Sequence, residues 1–278
     1  MKKLMQKGKL MSIERKPLNS LCATLCYALG IEPPKQANEK NPFLAEYIDS
    51  SFHGKKVDRL VMYNPDAVAE WIFRKYPYLL EGVLNANGFE LPLESPMPSV
   101  TPVCFGTMYT GAEPSVHGIE KYERKLITID TFFDALVRAG KKVALCSQSN
   151  CSMSIIYLER EIDYFIYQTV EEINAKALEL IAKDEYDVLV VYNTNYDYIM
   201  HKNGPESTKA LAELRLNGSM FGTIYNAINN CWKNKHDTLL GFAMDHGCHE
   251  IDGDSGSHGL DMDEDRQILH TYKAIVKE

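Results

Sequence analysis

The sequence predicts an α/β domain with a mostly parallel central sheet and helices on both faces. Short β-rich segments alternate with amphipathic helical segments along most of the chain, which is the order of βαβ units. In addition, residues 186–192 form a near-continuous apolar run, which is typical of a strand covered on both faces. The chain of 278 residues is interpreted as a single domain, residues 1–278, with residues 1–56 as a candidate accessory segment.

The first third of the chain contains two predicted helices and two predicted strands. Residues 18–29 form an apolar helical segment that ends at Gly30. Residues 57–63 form a β-rich segment, and the helical residues 67–75 follow it after a short break. Residues 89–93 are a short strand candidate directly before a proline-rich loop.

Two capped helices are predicted in the middle of the chain. Residues 128–138 form a helix for which Asp130 is the predicted N-cap. Residues 170–182 form a helix that begins after Thr169, and Glu172 stands at the capping-box position. Local sequence therefore predicts where both helices begin.

Three further strands and one long helix complete the pattern. The strands are residues 142–146, 186–192 and 238–244. The helix, residues 205–232, has apolar side chains at helical spacing and separates the last two strands. Strands that alternate with helices in this way predict a parallel arrangement.

Charge and cysteine content exclude several classes of protein. The chain has 30 Lys and Arg residues against 38 Asp and Glu residues, a net charge of −8, which argues against binding to a nucleic-acid polymer. No apolar stretch reaches the roughly 18 residues of a membrane helix, and residues 1–10 lack the apolar core of a signal peptide. The seven cysteines are scattered and odd in number, which favours reduced thiols. We therefore expect a cytoplasmic protein without a membrane partner.

Acidic and histidine residues directly follow three of the predicted strands. Strands of a parallel sheet present their carboxyl ends at one edge, where ligands bind in such folds. The residues concerned are Asp66, Asp197, His201, Asp245, His246 and His258. Carboxylate oxygens and imidazole nitrogens together suit zinc or manganese. The sequence therefore predicts a metal centre at this edge of the sheet.

Each of these residues alone has a plainer interpretation. Asp66 could be a helix N-cap, and Asp197 and His201, four residues apart, could be a solvated pair on a helix surface. Asp245 could belong to a turn in which Gly247 has a positive φ. The convergence of all these residues on three strand ends favours the metal centre.

Thr101 is the candidate nucleophile. It precedes Pro102, and proline is tolerated in the first turn of a helix, so a helix is expected to begin here. The Thr101 hydroxyl would then lie near a helix N-terminus, where free N–H groups and the helix dipole favour an anionic phosphate. An ordinary N-cap threonine is the alternative. A threonine hydroxyl needs activation to act as a nucleophile, and a divalent ion beside it supplies that activation.

Together these motifs resemble those of the alkaline phosphatase superfamily, and within it the type I phosphodiesterase/nucleotide pyrophosphatase branch. Residues 99–119 resemble the nucleophile motif of that branch, with Thr-Gly nine residues after the threonine and His-Gly-Ile beyond. Residues 197–207, 244–247 and 257–259 resemble its three histidine-containing metal-binding segments, and the motifs occur in the family order. The resemblance implies an alkaline phosphatase-like three-layer α/β/α sandwich.

The resemblance also implies roles for the site residues. One divalent ion would be held by Asp197, His201 and His258. The other would be held by Asp66, Asp245, His246 and the Thr101 oxygen. The two ions are expected to be zinc, with manganese as the alternative. The implied reaction is an in-line attack by Thr101 on phosphorus, which gives a covalent phospho-threonine that water hydrolyses from the opposite side.

The sequence departs from the family pattern at two positions that concern the substrate. Cys104 stands where nucleotide pyrophosphatases carry a phosphate-binding asparagine, so nucleotide specificity does not transfer with the resemblance. Asn64 competes with Asp66 for a ligand position, because Asp66 is followed by Ala67 instead of the usual glycine. Cys104 and Asn64 are therefore the candidate substrate contacts, whereas His117 matches a family histidine that is expected to be structural.

The sequence thus favours a metal-dependent hydrolase that acts on small phosphate esters, and a phosphodiesterase over a phosphomonoesterase. Monoester preference relies on additional positive groups, and no arginine lies near a motif, since Arg59 precedes its strand and Arg124 is well downstream of Thr101. The alternatives are a phosphomonoesterase or phosphomutase of the same superfamily, and a catalytically weak metal-binding scaffold. The expected partner is a small phosphate-ester substrate.

Overall fold

The structure is a computed structural model that describes residues 14–278. Residues 1–10, which are not expected to be a signal peptide, lie outside the described residues. The strands are β1 (Lys16–Pro17), β2 (Arg59–Pro65), β3 (Phe89–Glu94), β4 (Val143–Gln148), β5 (Asp163–Tyr167), β6 (Val188–Asn193), β7 (Thr238–Phe242), β8 (His249–Ile251), β9 (Ser255–Ser257) and β10 (Gln267–Ile275).

Twelve α-helices accompany the strands in the described part of the chain. They are α1 (Ser20–Leu29), α2 (Pro42–Ser51), α3 (Glu70–Lys75), α4 (Glu81–Asn85), α5 (Thr101–Thr110), α6 (Pro114–His117), α7 (Phe132–Arg138), α8 (Ser152–Ile156), α9 (Val170–Lys183), α10 (Asn195–Asn203), α11 (Thr208–Cys231) and α12 (Asp263–Arg266).

Eight strands form the central sheet, in the order β1-β3-β10-β7-β2-β6-β4-β5. Neighbouring strands are parallel except at β10, which runs antiparallel to both β3 and β7. Strands β8 and β9 form a separate antiparallel hairpin. The predicted mostly parallel sheet is therefore confirmed.

Helices cover both faces of the sheet. Helix α9 packs on β4, β5 and β6 and against α11, whereas α5 packs against α1, α7 and α8. The β6 side chains are buried along the whole strand, as its apolar sequence predicts. The architecture is the predicted three-layer α/β/α sandwich.

The described part of the proposed accessory segment is built into this sandwich. Strand β1 pairs with β3 in the sheet, and all but one of the α1 side chains are buried. Residues 14–56 therefore share the hydrophobic core of the rest of the domain.

Four helices begin two to four residues later than predicted: α1 at Ser20, α3 at Glu70, α7 at Phe132 and α11 at Thr208. Helix α7 is capped by Thr131, whose hydroxyl accepts from the Asp134 N–H, while the Asp134 carboxylate accepts from the Thr131 N–H. Asp130 does not cap the helix because its carboxylate is paired with Arg138. Helix α11 begins after Ser207, which caps it through the Ala210 N–H.

The capping box that Thr169 and Glu172 predict for α9 is present. Strand β10 was not predicted, because its polar residues obscure the period of a strand. No helix among residues 14–278 is both long enough and apolar enough to cross a membrane.

Candidate metal centre and nucleophile

The predicted ligands meet at one edge of the sheet because their strands are neighbours. Strands β7, β2 and β6 are adjacent and parallel, so their carboxyl ends lie side by side. Asp66 follows β2, Asp197 lies in α10 after β6, and Asp245 and His246 follow β7. His258 reaches the same edge from the segment after the β8–β9 hairpin.

Asp66, Asp245 and His246 form the first cluster, with ligand atoms within 4.8 Å of one another. His246 Nε2 lies 3.4 Å from Asp66 Oδ1 and 3.3 Å from Asp245 Oδ2. All three side chains are buried. We call this set the buried cluster.

Asp197, His201 and His258 form the second cluster, which is more open to solvent. Asp197 Oδ1 lies 3.3 Å from His201 Nε2 and 3.4 Å from His258 Nε2. The His258 ring stacks on the His246 ring, with 4.0 Å between ring centres, so the two clusters adjoin. We call this set the open cluster.

Backbone carbonyl groups fix the orientation of all three histidine rings. The Nδ1 atoms of His201, His246 and His258 each lie 2.9 Å from a backbone carbonyl oxygen, of Gly256, Gly247 and Ser99 respectively. A carbonyl can only accept, so each Nδ1 carries the hydrogen and donates it. The Nε2 atoms are thus left to face the clusters, as in metal-binding histidines.

The two clusters fit divalent cations on this chemistry. Asp66 Oδ1, Asp245 Oδ2 and Asp197 Oδ1 are buried oxygens without a hydrogen-bond partner in the described residues. His201 Nε2 and His258 Nε2 face each other at 3.1 Å, an arrangement that requires a proton or a cation between them. Buried polar atoms normally have partners, so unpartnered oxygens beside bare imidazole nitrogens indicate missing positive charge.

The pKa shifts in the buried cluster have the same main cause, which is burial of the ionisable groups, with no positive charge beside the carboxylates. Burial, together with the neighbouring carboxylates, raises the pKa of Asp66 well above its usual range. Burial also raises the pKa of Asp245 to about 8. Burial and the nearby His258 hold the pKa of His246 well below its usual value. Two carboxylates this close cannot both ionise in a protein interior unless a cation offsets their charge.

The open cluster behaves as an ion pair. Burial opposes ionisation of Asp197, but the close contacts with His201 and His258 outweigh it and lower the pKa of Asp197. The same contact raises the pKa of His201 to about 9. A negative charge on Asp197 is therefore favoured beside either protonated histidine or a bound cation.

Thr101 stands directly against the buried cluster. It is the first residue of α5, after the N-cap Val100, and is 4% exposed. Its Oγ1 lies 3.2 Å from His246 Nε2. The N–H groups of Val103 and Cys104 both donate to the Val100 carbonyl at 3.0 Å. The expected supply of free N–H groups is therefore reduced at this helix start.

Neither predicted substrate contact reaches the cavity at this site. The Asn64 side chain donates to the Ala243 carbonyl at 2.5 Å and accepts from the Tyr109 hydroxyl at 2.8 Å, so its amide is used in the core. Cys104 is fully buried in α5, and burial raises the pKa of its thiol. These contacts leave Asp66, and not Asn64, facing the cluster.

Sequence reasoning missed Tyr192 and Asp265. Tyr192, the buried aromatic of β6, donates its hydroxyl hydrogen to Asp66 Oδ2. Asp265 accepts from His249 Nδ1 at 2.7 Å and from the Leu260 N–H at 2.8 Å, which ties down both ends of the segment that carries His258. The only sequence signal for Tyr192 is its position at a strand end.

Gly247 is required for close packing and not for a positive φ. Its φ lies outside the left-handed region, contrary to the turn interpretation. A Cβ at this position would overlap the Glu264 carbonyl oxygen, and the Gly247 N–H donates to the Asp265 carbonyl at 2.7 Å. The glycine therefore lets the segment after His246 dock on the residues before β10.

A cavity of about 590 Å³ opens over the two clusters. Its lining includes Thr101, Asp66, Tyr192, Asp197, His201, His258, Tyr122, Arg124, Tyr198 and Lys202. The prediction that no arginine lies near the site is therefore wrong, because the chain after α6 returns to the cavity. A larger groove of about 920 Å³, beside β1 and α1, contains none of the predicted site residues.

The chain matches the family described as type I phosphodiesterase / nucleotide pyrophosphatase over residues 78–274. It belongs to this family of phosphoester hydrolases, which the resemblance predicted. Asp66 precedes the matched residues, so its place in the centre depends on the geometry described above.

Solved structures share the fold at low sequence identity. Human ectonucleotide pyrophosphatase / phosphodiesterase 5 is 15% identical, with a TM-score of 0.55 over 69% of this chain and 58% of that chain. The murine protein is 16% identical, with a TM-score of 0.56 over 69% and 58%. Phosphonoacetate hydrolase from Sinorhizobium meliloti 1021, in complex with phosphonoformate, is 17% identical, with a TM-score of 0.52 over 73% and 61%.

A curated relative matches a shorter region. GPI ethanolamine phosphate transferase 2 from Yarrowia lipolytica is 35% identical over 81 residues, which are 29% of this chain and 8% of that protein. The chain thus spans about three fifths of the solved relatives and a small part of the curated one.

Proposed function

We propose that this protein is a metal-dependent hydrolase of small phosphodiesters that acts through Thr101. The observation that carries the proposal is the 3.2 Å contact between Thr101 Oγ1 and His246 Nε2. This contact places a hydroxyl beside two clusters of unpartnered oxygens and imidazole nitrogens, at the base of a cavity. A nucleophile, a charge-stabilising centre and room for a substrate are the requirements of phosphoryl transfer.

The two clusters are the proposed binding sites of two divalent ions, zinc or manganese. The open cluster would hold one through Asp197, His201 and His258, and the buried cluster the other through Asp66, Asp245, His246 and Thr101. Bound divalent ions would lower the pKa of the threonine hydroxyl and offset the charge of the transferring phosphoryl group.

The reaction of this chain's own residues has two steps. In the first, Thr101 Oγ1 forms a bond to phosphorus while the bond from phosphorus to the departing ester oxygen breaks. The departing alcohol takes up the proton that the threonine loses. In the second, water attacks the phospho-threonine from the opposite side, the bond from phosphorus to Oγ1 breaks, and Thr101 regains its proton.

Several residues orient this machinery without touching the reacting atoms. The Tyr192 hydroxyl holds Asp66, and the Gly247 carbonyl holds the His246 ring. Preorganised groups of this kind are not rearranged when charge develops, which is the largest contribution in many enzymes. The low exposure of Thr101 limits access of bulk water to the first step.

The substrate is proposed to be a small molecule in the cytoplasm. The free cysteines support a reducing compartment, and the net charge of −8 disfavours a nucleic-acid polymer. A diester is preferred to a monoester because of the family alone, since the argument from a missing arginine fails with Arg124 at the cavity.

A second candidate function is transfer of the phosphoryl group to an alcohol instead of water. The match to GPI ethanolamine phosphate transferase 2 favours it. The same phospho-threonine would then be resolved by an alcohol, and the product would be a new diester. Adding a primary alcohol to the assay and analysing the products by mass spectrometry separates transfer from hydrolysis.

The test is hydrolysis of a chromogenic phosphodiester beside the matching monoester, in zinc and in manganese, with Thr101→Ala as control. The proposal predicts faster turnover of the diester and its loss in Thr101→Ala. Faster turnover of the monoester would support the proposed catalytic site but contradict the proposed substrate class. No turnover of either, although metal binds, would overturn the hydrolase and favour the metal-binding scaffold.

A further inference from the structure

Two cationic side chains line the cavity above Thr101 without a carboxylate partner. Arg124 and Lys202 are both exposed at the cavity, and neither forms an ion pair with any of residues 14–278. The chain as a whole carries an excess of acidic residues, with a net charge of −8. Two unpaired cations at one cavity of an acidic protein are available to an anionic ligand.

Arg124 is held in place by the loop after β4. Its Nη1 donates to the Asn150 carbonyl oxygen and to Asn150 Oδ1, the latter at 3.2 Å. A guanidinium carries five N–H donors in a rigid fork, so these two bonds leave donors for another acceptor. The fork that remains suits a carboxylate or a phosphoryl group.

Lys202 is placed by the helix that carries the open cluster. Tyr198 and Lys202 lie four residues apart on α10, each one residue after the metal-cluster residues Asp197 and His201. Lys202 Nζ lies 3.6 Å from the centre of the Tyr198 ring. Residues at this spacing share one side of a helix, so the lysine stands beside the open cluster on the cavity wall.

The depth of these groups separates them from the scissile phosphate. Thr101 is almost fully buried at the base of the cavity, whereas Arg124 and Lys202 are exposed. The residues that would hold the two ions and the scissile phosphate lie at this base, so Arg124 and Lys202 are placed for a part of the substrate away from the reacting phosphorus. The charges of Arg124 and Lys202 remain for a second anion.

We propose that the substrate is a phosphodiester that carries a second anionic group, a carboxylate or a phosphoryl group, and that Arg124 and Lys202 bind this group. The proposal rests on the proposed hydrolase function and specifies its substrate class. It makes the two cations specificity residues, which act on the part of the substrate away from the reacting phosphorus.

The test compares two chromogenic diesters that differ by one carboxylate group, p-nitrophenyl phenyl phosphate and its 3-carboxyphenyl analogue. We expect the wild-type kcat/KM to be at least about tenfold higher for the carboxylated diester at low salt. Arg124→Gln and Lys202→Gln should each lower this ratio several-fold, and added salt should lower it in the wild type because both cations are exposed. A third diester, with a phosphonate in place of the carboxylate, shows which anionic group the site prefers. The preferred group is the one that gives the higher kcat/KM.

Matched controls come from α11, where Arg215 and Lys209 are exposed and do not line the cavity. Arg215→Gln and Lys209→Gln should leave the ratio at its wild-type value. Equal kcat/KM values for the two diesters in the wild type would overturn the proposal. The proposal would also be overturned if the ratio of the two kcat/KM values stayed at its wild-type value in each of the single variants Arg124→Gln and Lys202→Gln.

A binding measurement separates this proposal from the proposed function. Calorimetric titration of Thr101→Ala with the same two diesters should show tighter binding of the carboxylated one, and this preference should again be reduced in the Arg124→Gln background. If neither diester is hydrolysed by the wild type, the hydrolase proposal fails, and the titration still decides whether the cavity selects an anion. If both are hydrolysed and bound equally well, the hydrolase stands and the anion site fails.

Discussion

The Tyr192 hydroxyl donates its hydrogen to Asp66 Oδ2, and this contact directs the other oxygen, Oδ1, toward His246. Burial and the Asp66 carboxylate raise the pKa of Tyr192, so the phenol stays protonated and remains a donor. A buried carboxylate with one oxygen held by a neutral donor and one oxygen unpartnered is oriented for a cation. Tyr192 is thus a positioning residue for the buried cluster.

Tyr192→Phe should weaken divalent-metal binding by roughly 10- to 100-fold, because the orienting bond to Asp66 is lost. Calorimetric titration with zinc measures the change. Tyr157→Phe is the matched control, since it removes another buried phenol hydrogen bond, to the Phe105 carbonyl at 2.6 Å, away from both clusters. Equal zinc affinity in the two variants would contradict the positioning role.

Asn64→Ala should destabilise the protein and leave its metal content unchanged. The substitution leaves the Tyr109 hydroxyl and the Ala243 carbonyl without their buried partner, which costs about 1–3 kcal/mol. Urea denaturation measures the loss, and metal analysis of the purified protein measures the content. Asp66→Ala is the comparison and should lose bound metal. Loss of metal in Asn64→Ala with retention in Asp66→Ala would reverse the ligand assignment.

His117 should make stability fall in mild acid. Burial lowers the pKa of His117 to about 4, below the value of about 6.5 in an unfolded chain. The unfolded chain therefore binds more protons between these values, so the contribution of His117 to stability is complete above pH 6.5 and is lost toward pH 4. The effect between pH 7 and pH 5 is roughly 2 kcal/mol.

Urea denaturation of the wild type and His117→Gln at both pH values tests this expectation. The difference in unfolding free energy between the two proteins should shrink at pH 5. His53→Gln, at an exposed histidine, is the control and should follow the wild type. If the wild type and His117→Gln lose the same unfolding free energy between the two pH values, His117 does not titrate as stated.

The strands that position the site could be predicted from the sequence because each is a short apolar run with an aspartate within four residues of its end. Strand β6 and the residues after it illustrate this, since Val188–Asn193 is buried throughout and Asp197 follows it. The parallel order of such strands then brings Asp66, Asp197 and Asp245 to one edge without further information. The motifs themselves supplied the resemblance to the family that the chain matches.

Part of the cavity wall could not be predicted in the same way, because it comes from an irregular segment that is distant in sequence from the metal clusters. Arg124 lies in an irregular segment that only the folded chain brings to the Asn150 loop. Asn64 is followed by Pro65 and resembles a ligand in sequence, but its amide is used by Tyr109 in the core. The Asp265 carboxylate accepts from the Leu260 N–H, and a contact to the backbone leaves no pattern in the sequence of side chains.

The most direct test of the account is to trap the covalent intermediate. The wild type, loaded with zinc, is mixed with a chromogenic phosphodiester, quenched in acid within the first turnover and digested, and the peptides are analysed by mass spectrometry. We predict a phosphoryl adduct on Thr101, formed at the rate of alcohol release and absent from Thr101→Ala. Turnover without an adduct on Thr101, or undiminished turnover by Thr101→Ala, would contradict the central claim.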